Sequence, residues 1–509
     1  MFGGLRLDRA RLQRAQVKRA GWGLFALGVL ALTIGFNLPL PHNDDLFYAT
    51  PGRVLHDQGL IANPLERAWW SLTPFYAYPP GYAGVVAAWS AAFGFSSASL
   101  SALYGAAVLA FSAGWRRLTR NAGAWTFWLG VGSFVSGTVG TGYRADAPAL
   151  ALAFAGAALA MSVRPALLVL GGLCLAWALL TGPDGVVFYG ALGLYALWRR
   201  ERPDLEVRDR LRPLLWIALG GLVALAGCAL LIHGRFDLLW SDLAVSARRS
   251  AQHIGALSDL LSPQSITAFC IALLCAPWPG RSGGAQRATG SGLLFVMALA
   301  LAVTPLVEAG FVYVSVFTLL VFTGAAARID AMAPGPVGRL RLASGLAALL
   351  LLLTSLPWLY FGVHRQVLPL TAYDGLRRMA LVEQKAGKTV VIDPVVARAA
   401  YDERPPLNFL DWNFALPMAV GDEPTDTSAI CRGSDWLISP YHVSRFLPDL
   451  FDRPQIAPTG VRWIDALASA PGRHFILPTR AWDAVLLTCS GGRVTIAAST
   501  DPRVRLKAP

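Results

Sequence analysis

The feature that most constrains this chain is a succession of long apolar runs separated by short loops rich in arginine. The runs lie at 21–40, 98–115, 122–141, 147–162, 166–181, 185–198, 213–233, 262–278, 291–307, 310–326 and 342–362. Crossing roughly 30 Å of hydrocarbon as a helix takes about 20 apolar residues, and a helix is one of the few structures that satisfies its own backbone polar groups there. The expected fold is therefore a polytopic α-helical membrane protein with about eleven transmembrane helices. With 55% hydrophobic and 15% charged residues and a mean hydropathy of +0.48, an ordinary soluble chain is excluded.

Charge divides the chain and orients it. Residues 1–362 carry 27 Lys/Arg and 16 Asp/Glu, whereas the much shorter 363–509 carries 17 and 15. The first part reads as the membrane domain and the second as a small soluble α/β domain. Arg6, Arg9, Arg11, Arg14, Lys18 and Arg19 precede the first run, and no small-x-small cleavage site follows it, so an uncleaved anchor with a cytoplasmic amino terminus is expected. Strict alternation then puts 21 of the 27 basic residues of 1–362 inside and six outside. Counting the short stretch 82–95 as a further span would reverse that bias, so it reads as an interfacial helix. The net charge of +13 thus sits in cytoplasmic loops rather than in a basic groove, which argues against nucleic acid. An odd number of spans places 363–509 outside. The expected location is the bacterial inner (plasma) membrane, multi-pass, with the active site and C-terminal domain extracytoplasmic (periplasmic).

Transporters hold substrates and protons on polar groups at mid-membrane, and these runs contain almost none. A lipid or polysaccharide transporter, or a noncatalytic membrane subunit, is the alternative to an enzyme. The charged residues collect in outer loops, above all in 41–97, which contains His42, Asn43, Asp44, Asp45, Tyr48, Trp69, Trp70, Tyr76, Tyr78, Pro79, Pro80 and Tyr82. For Asp44-Asp45 two readings stand. Asn43 or Asp44 caps a helix starting near Leu46, or one carboxylate of a mutually repelling pair serves as general base. A second outer segment, Gly142-Tyr143-Arg144-Ala145-Asp146, reads either as interfacial charge pairing or as a second acidic motif.

Taken in order, the basic amino terminus, the first span, Asp44-Asp45, Tyr48, Gly59, Asn63-Pro64, Tyr78-Pro79-Pro80 and the apolar helix ending at Phe93-Gly94 resemble the GT-C superfamily. These are membrane glycosyltransferases that use lipid-linked sugars, among them the aminoarabinose transferases and protein O-mannosyltransferases. The resemblance covers residues 20–200 and is topological beyond them. It implies a cell-envelope enzyme that moves a sugar from a polyprenyl-phosphate donor to an extracytoplasmic acceptor hydroxyl with inversion. It also implies Asp44 as the base, with Asp45 and Asp146 in support, and Tyr48, Tyr78 and Tyr82 toward substrate. The acceptor is a glycolipid, a glycan or a protein. Two positions depart from the aminoarabinose type, which commonly has a basic residue before Pro-Pro where this chain has Tyr78, and a Lys in the outer turn that here reads Thr181-Gly182-Pro183-Asp184.

The leaving phosphate needs fixed cations, for which the arginine fork is suited. Arg248 and Arg249 with His253 are the leading phosphate ligands, Arg144 is next, and Arg53 and Arg67 are available to a donor headgroup. No cofactor is required on this reading. His42, Asp44, Asp45 and His56 match no standard zinc spacing, and oxygen ligands there would suit Mg²⁺ or Mn²⁺ if a divalent ion took part. In 363–509 a helix is expected near 372–386 and strands at 389–392, 436–438, 474–477 and 494–498. Cys431 and Cys489 are positioned to join in an oxidising outer compartment, while Cys174, Cys228, Cys270 and Cys275 read as packing residues.

Overall fold

The structure, a computed structural model, describes residues 3–39, 45–64, 76, 80–118, 124–139, 142–182, 207–252, 370–392, 409–411, 434–438, 450–452, 484–500 and 504–506. The basic leader and first apolar run form one helix, α1 (Gly3–Gly35). It stops short of residue 40 because Asn37 turns into the left-handed region (φ 47°), a conformation asparagine tolerates better than most residues. The Leu38 N–H then closes back on the Thr33 carbonyl at 2.8 Å.

Two helices of the first outer loop follow, α2 (Asp45–Gln58) and α3 (Gly81–Phe93). The next apolar runs form α4 (Ser97–Leu118), α5 (Ala124–Thr138), α6 (Asp146–Ala160), α7 (Pro165–Thr181) and α8 (Val207–Leu231). A short amphipathic helix, α9 (Phe236–Gln252), leaves the end of α8. Among the described residues, Ser97–Arg117 of α4 and Arg212–Leu231 of α8 are long and apolar enough to cross a membrane. They differ in surroundings. α4 is largely buried, whereas α8 leaves Leu215, Leu222, Leu225 and Leu230 exposed, as a helix facing lipid does. The expected runs at 185–198 and across 262–362 lie outside the described residues.

Small residues let α7 and α8 approach closely. A Cβ at Gly172 would collide with the Ile217 carbonyl, and one at Gly220 with the Val169 carbonyl. Such backbone proximity supplies van der Waals contact where lipid removes the hydrophobic driving force.

The tail begins with α10 (Leu370–Lys385). It continues through β1 (Thr389–Ile392), β2 (Phe409–Asp411), β3 (Ser434–Ile438), β4 (Val485–Ser490) and β5 (Arg493–Ser499). The sheet order is β2-β1-β3-β4-β5. β1 lies parallel to β2 and β3, and β3-β4-β5 is antiparallel. Gly491 and Gly492, both at positive φ (60° and 77°), make the two-residue turn between β4 and β5 that the strand twist favours. The expected strands at 389–392, 436–438 and 494–498 are present, and 474–477 lies outside the described residues. Sequence reading misses β2, which has three residues. It also misses β4, where Val485–Leu487 is buried on both faces and so lacks the alternation that marks a half-exposed strand. Cys489 is disulfide-bonded, its partner lying outside the described residues, while Cys174 and Cys228 are free thiols.

One buried cluster contains both Tyr48, Ala49, Tyr82, Val86, Leu100 and Tyr143 from the membrane domain and Leu376, Ala380, Ile392, Leu437 and Leu486 from the tail. A continuous core cannot be divided by a bilayer. The first outer loop and the tail therefore lie on the same side, as the even number of spans expected between them requires.

Candidate active site

The two acidic segments, about a hundred residues apart in sequence, meet. Asp45 opens α2 and is fully buried, and the Tyr143 N–H donates to its Oδ1 at 2.7 Å. Its charge also lies at the helix N-terminus, where the backbone dipole favours an anion. Tyr143 sits in the turn opened by Gly142 (φ 64°), immediately before Asp146 starts α6. The Tyr82 hydroxyl, from α3, donates to the Tyr143 carbonyl at 2.6 Å. Both backbone polar groups of Tyr143 are thus held by the first outer loop.

The Tyr143 hydroxyl reaches the other way. It lies 3.1 Å from both Oγ and the carbonyl oxygen of Ser97, at the start of α4. Ser97 and Ser101 each donate to Asn37 Oδ1, at 2.7 and 2.8 Å. The end of α1, the starts of α2, α4 and α6, and the first turn of α3 are therefore tied into one buried polar network. Such a network makes positions rigid when its members are satisfied.

Arg144 and Asp146 form the polar edge of this assembly. Arg144 Nε donates to Asp146 Oδ2 at 3.0 Å, and the guanidinium lies 5.1 Å from the centroid of the Tyr48 ring. Tyr48 in turn packs edge-on against Tyr82 at 6.3 Å. Tyr48 and Arg144 thus stand together, one from each motif.

A second cluster holds the far end of the outer loop. Gly59 (φ 71°) terminates α2, and its carbonyl oxygen lies 3.1 Å from His233 Nε2 at the α8–α9 corner. Tyr76, buried to 1% exposure, fits the same corner: its hydroxyl donates to the Ile232 carbonyl at 3.4 Å and its N–H to Asp242 Oδ2 at 3.0 Å. Asp242 is buried, and desolvation pushes its carboxyl above the usual range despite the Tyr76 N–H. Sequence reading left Asp242 among ordinary outer-loop charges. The available signal was its place on the apolar face that Leu238, Leu239 and Leu243 give to α9.

Not every expected site residue falls within the described structure. Asp44, Tyr78 and His253 lie outside it, and Arg248 and Arg249 are described only as backbone positions on α9. Arg53 is buried, paired with Asp57 at 3.5 Å and placed over the Phe95 ring at 5.0 Å. A four-residue metal cluster through His56 does not fit, because His56 follows Asp45 by eleven residues on α2, roughly 16 Å along its axis. Among the described residues no three His, Cys, Asp or Glu side chains converge. The start of α3 adjoins the end of α7. Gly81, just after Pro79-Pro80, touches the backbone of Leu180 and Thr181, and Trp177 Nε1 donates to the Gly81 carbonyl at 3.1 Å.

The fold, with α2 and α3 packed against the tail domain through one buried cluster, is one seen among solved structures. A solved structure similar to it is ArnT from Cupriavidus metallidurans, crystallised with undecaprenyl phosphate. The two superpose with a TM-score of 0.55 at 13% identity, over 85% of this chain and 95% of that one. The sequence matches no family model and no curated protein.

Proposed function

We propose that this protein is an inverting glycosyltransferase that takes its sugar from a polyprenyl-phosphate donor and delivers it to an acceptor hydroxyl on the outer face of the membrane. The observation that carries the reading is the Asp45–Tyr143 hydrogen bond. It joins the acidic pair of the first outer loop to the Arg144–Asp146 segment, within a fold shared with a protein that binds undecaprenyl phosphate.

Asp44 is the general base. Its neighbour Asp45 is committed to the Tyr143 N–H and positions α2, which leaves Asp44 as the carboxylate of the pair to face the acceptor. The acceptor oxygen bonds to the anomeric carbon as the carbon–phosphate oxygen bond breaks. The hydroxyl proton passes to Asp44, and the bonding pair leaves with the polyprenyl phosphate. Arginine donors on the outer face neutralise that charge, Arg249 or Arg248 first and Arg144 next. Tyr48, buried beside Arg144, orients that guanidinium for the donor, while the Tyr82 hydroxyl serves the scaffold through the Tyr143 carbonyl.

The test is transfer from a polyprenyl-phosphate sugar by purified protein. Asp44→Asn lowers turnover by about 10²–10⁴-fold, the usual contribution of a positioned base, while donor binding persists. Transfer at the wild-type rate by that variant would remove Asp44 from the mechanism.

A further inference from the structure

The two ends of α4 hold different chemistry. Ser97, at its start, joins the polar network around Tyr143. Arg116, near its end, lies roughly 28 Å farther along the axis at 1.5 Å per residue, about the thickness of the hydrocarbon core. Ser97–Arg117 is long and apolar enough to cross a membrane, so Arg116 stands at the headgroup level of the leaflet opposite the acidic loop.

Four rings meet there, two from α1 and two from α5. Trp22 lies 5.5 Å from Phe25 and 5.8 Å from Phe127, while Trp128 lies 5.8 Å from Phe25 and 5.2 Å from Phe127. All four contacts are edge-on, with ring edge against ring face, so each ring fixes two others. The Arg116 guanidinium is 5.9 Å from the centroid of Trp22 and 5.7 Å from that of Phe127. Two aromatic rings thus hold one cation through its charge. Arg116 is exposed, and the arginine and lysine ion pairs among the described residues lie elsewhere, on Arg53, Arg144, Arg235 and Lys388.

The surroundings are positive and amphipathic. Arg19 is exposed and sits one turn before Trp22 on the same face of α1. Neither 9–43 nor 68–145 contains an acidic residue, so nothing along α1 or α4 offsets these charges. Trp128 is 55% exposed, as a tryptophan among headgroups is. Arginines that serve only to orient a chain need charge on one side and no fixed geometry, whereas Arg116 has a fixed one. We propose that Arg116, held by Trp22 and Phe127 and flanked by Arg19, binds the phosphate of an anionic phospholipid in the leaflet opposite the acidic loop. The guanidinium donates to two phosphate oxygens, and the Trp128 ring borders the acyl chains. The site lies a bilayer away from the outer-face chemistry and stands whether or not the chain transfers a sugar.

The experiment titrates the full chain in neutral detergent with phosphatidylglycerol or with phosphatidylcholine and counts bound lipid by native mass spectrometry. One phosphatidylglycerol binds ahead of the rest, and phosphatidylcholine shows no such site. Arg116→Gln weakens the site about fivefold, the usual contribution of one basic residue at an anionic surface. The control is Arg164→Gln, which leaves the site unchanged. Arg164 is exposed and follows α6, whose Phe154 packs on Trp115, so it shares the side of Arg116 without its rings. Trp22→Leu weakens binding in the wild-type background and not in Arg116→Gln, since the ring acts through the cation. Equal binding of the two lipids, or equal losses at 116 and 164, would overturn the site. An equal loss from Trp22→Leu in both backgrounds would overturn the role of the rings. Excess inorganic phosphate leaves the lipid bound; displacement would make the ligand free phosphate and overturn the lipid assignment.

Discussion

Replacing Asp45 by alanine removes the group that joins the two acidic segments. The carboxylate is fully buried and its Oδ1 accepts the Tyr143 N–H at 2.7 Å. Losing a hydrogen bond to a charged acceptor costs about 1.5–3 kcal/mol, and a methyl-sized void adds about 1 kcal/mol. Together these predict a loss of about 3 kcal/mol, or roughly 5 °C of melting temperature for a large cooperative unit. Asp45→Asn keeps an oxygen that can accept from Tyr143 and loses only the charge assistance, so its cost is about 1 kcal/mol. The free thiols of Cys228, 2% exposed, and Cys174 report unfolding through a thiol-reactive dye in detergent. Wild type, Asp45→Asn and Asp45→Ala should melt in that descending order. An Asp45→Ala protein that melts with wild type would show that the carboxylate does not hold Tyr143. An Asp45→Asn protein with wild-type melting and no turnover would give Asp45, rather than Asp44, the chemical role.

Further substitutions test the scaffold separately from the chemistry. Tyr82→Phe leaves the buried Tyr143 carbonyl without its 2.6 Å donor and should cost about 1–2 kcal/mol, with faster hydrogen exchange in 142–146 by mass spectrometry; unchanged exchange would contradict it. Gly172→Leu forces a side chain into the Ile217 backbone and should abolish recovery of monodisperse protein in size-exclusion chromatography, whereas Leu222→Ala on the exposed face of α8 should not. In the tail, Lys388 bonds Glu383 at 2.7 Å and the buried Asp435 at 3.3 Å. Burial raises the Asp435 pKa and Lys388 opposes that rise, so Lys388→Met raises it further. A carboxyl with a raised folded pKa stabilises most below its unfolded value of 3.8 and loses that contribution as pH rises. The variant's melting temperature relative to wild type should therefore fall as pH climbs from about 4 to 7; parallel profiles would contradict the pairing.

Much of the helical framework is legible in the sequence because a bilayer demands long apolar runs and sorts arginines by side. The reading of 82–95 as interfacial rests on its shortness and on parity. The meeting of the acidic loop with Gly142–Asp146 was expected only from resemblance, and the bond from the Tyr143 N–H to Asp45 supplies its physical form. Tyr82 illustrates what sequence reading cannot separate, since an aromatic hydroxyl in an outer loop serves a substrate or a backbone carbonyl equally well until its partner is seen. Asp242 was missed for a different reason. Its donor is a backbone N–H 166 residues away, and main-chain donors carry no residue-type signal. β4 escaped because burial on both faces removes the period-two pattern that identifies a strand.

If a lipid-linked sugar is the donor, the acidic loop and the tail share the outer side of the membrane, and single cysteines at the exposed positions Gln58, Arg493 and Arg117, labelled in intact spheroplasts with a membrane-impermeant maleimide, report it. Positions 58 and 493 should react at once, and position 117 only after the membrane is opened. Protection of 58 or 493 until permeabilisation would contradict the account.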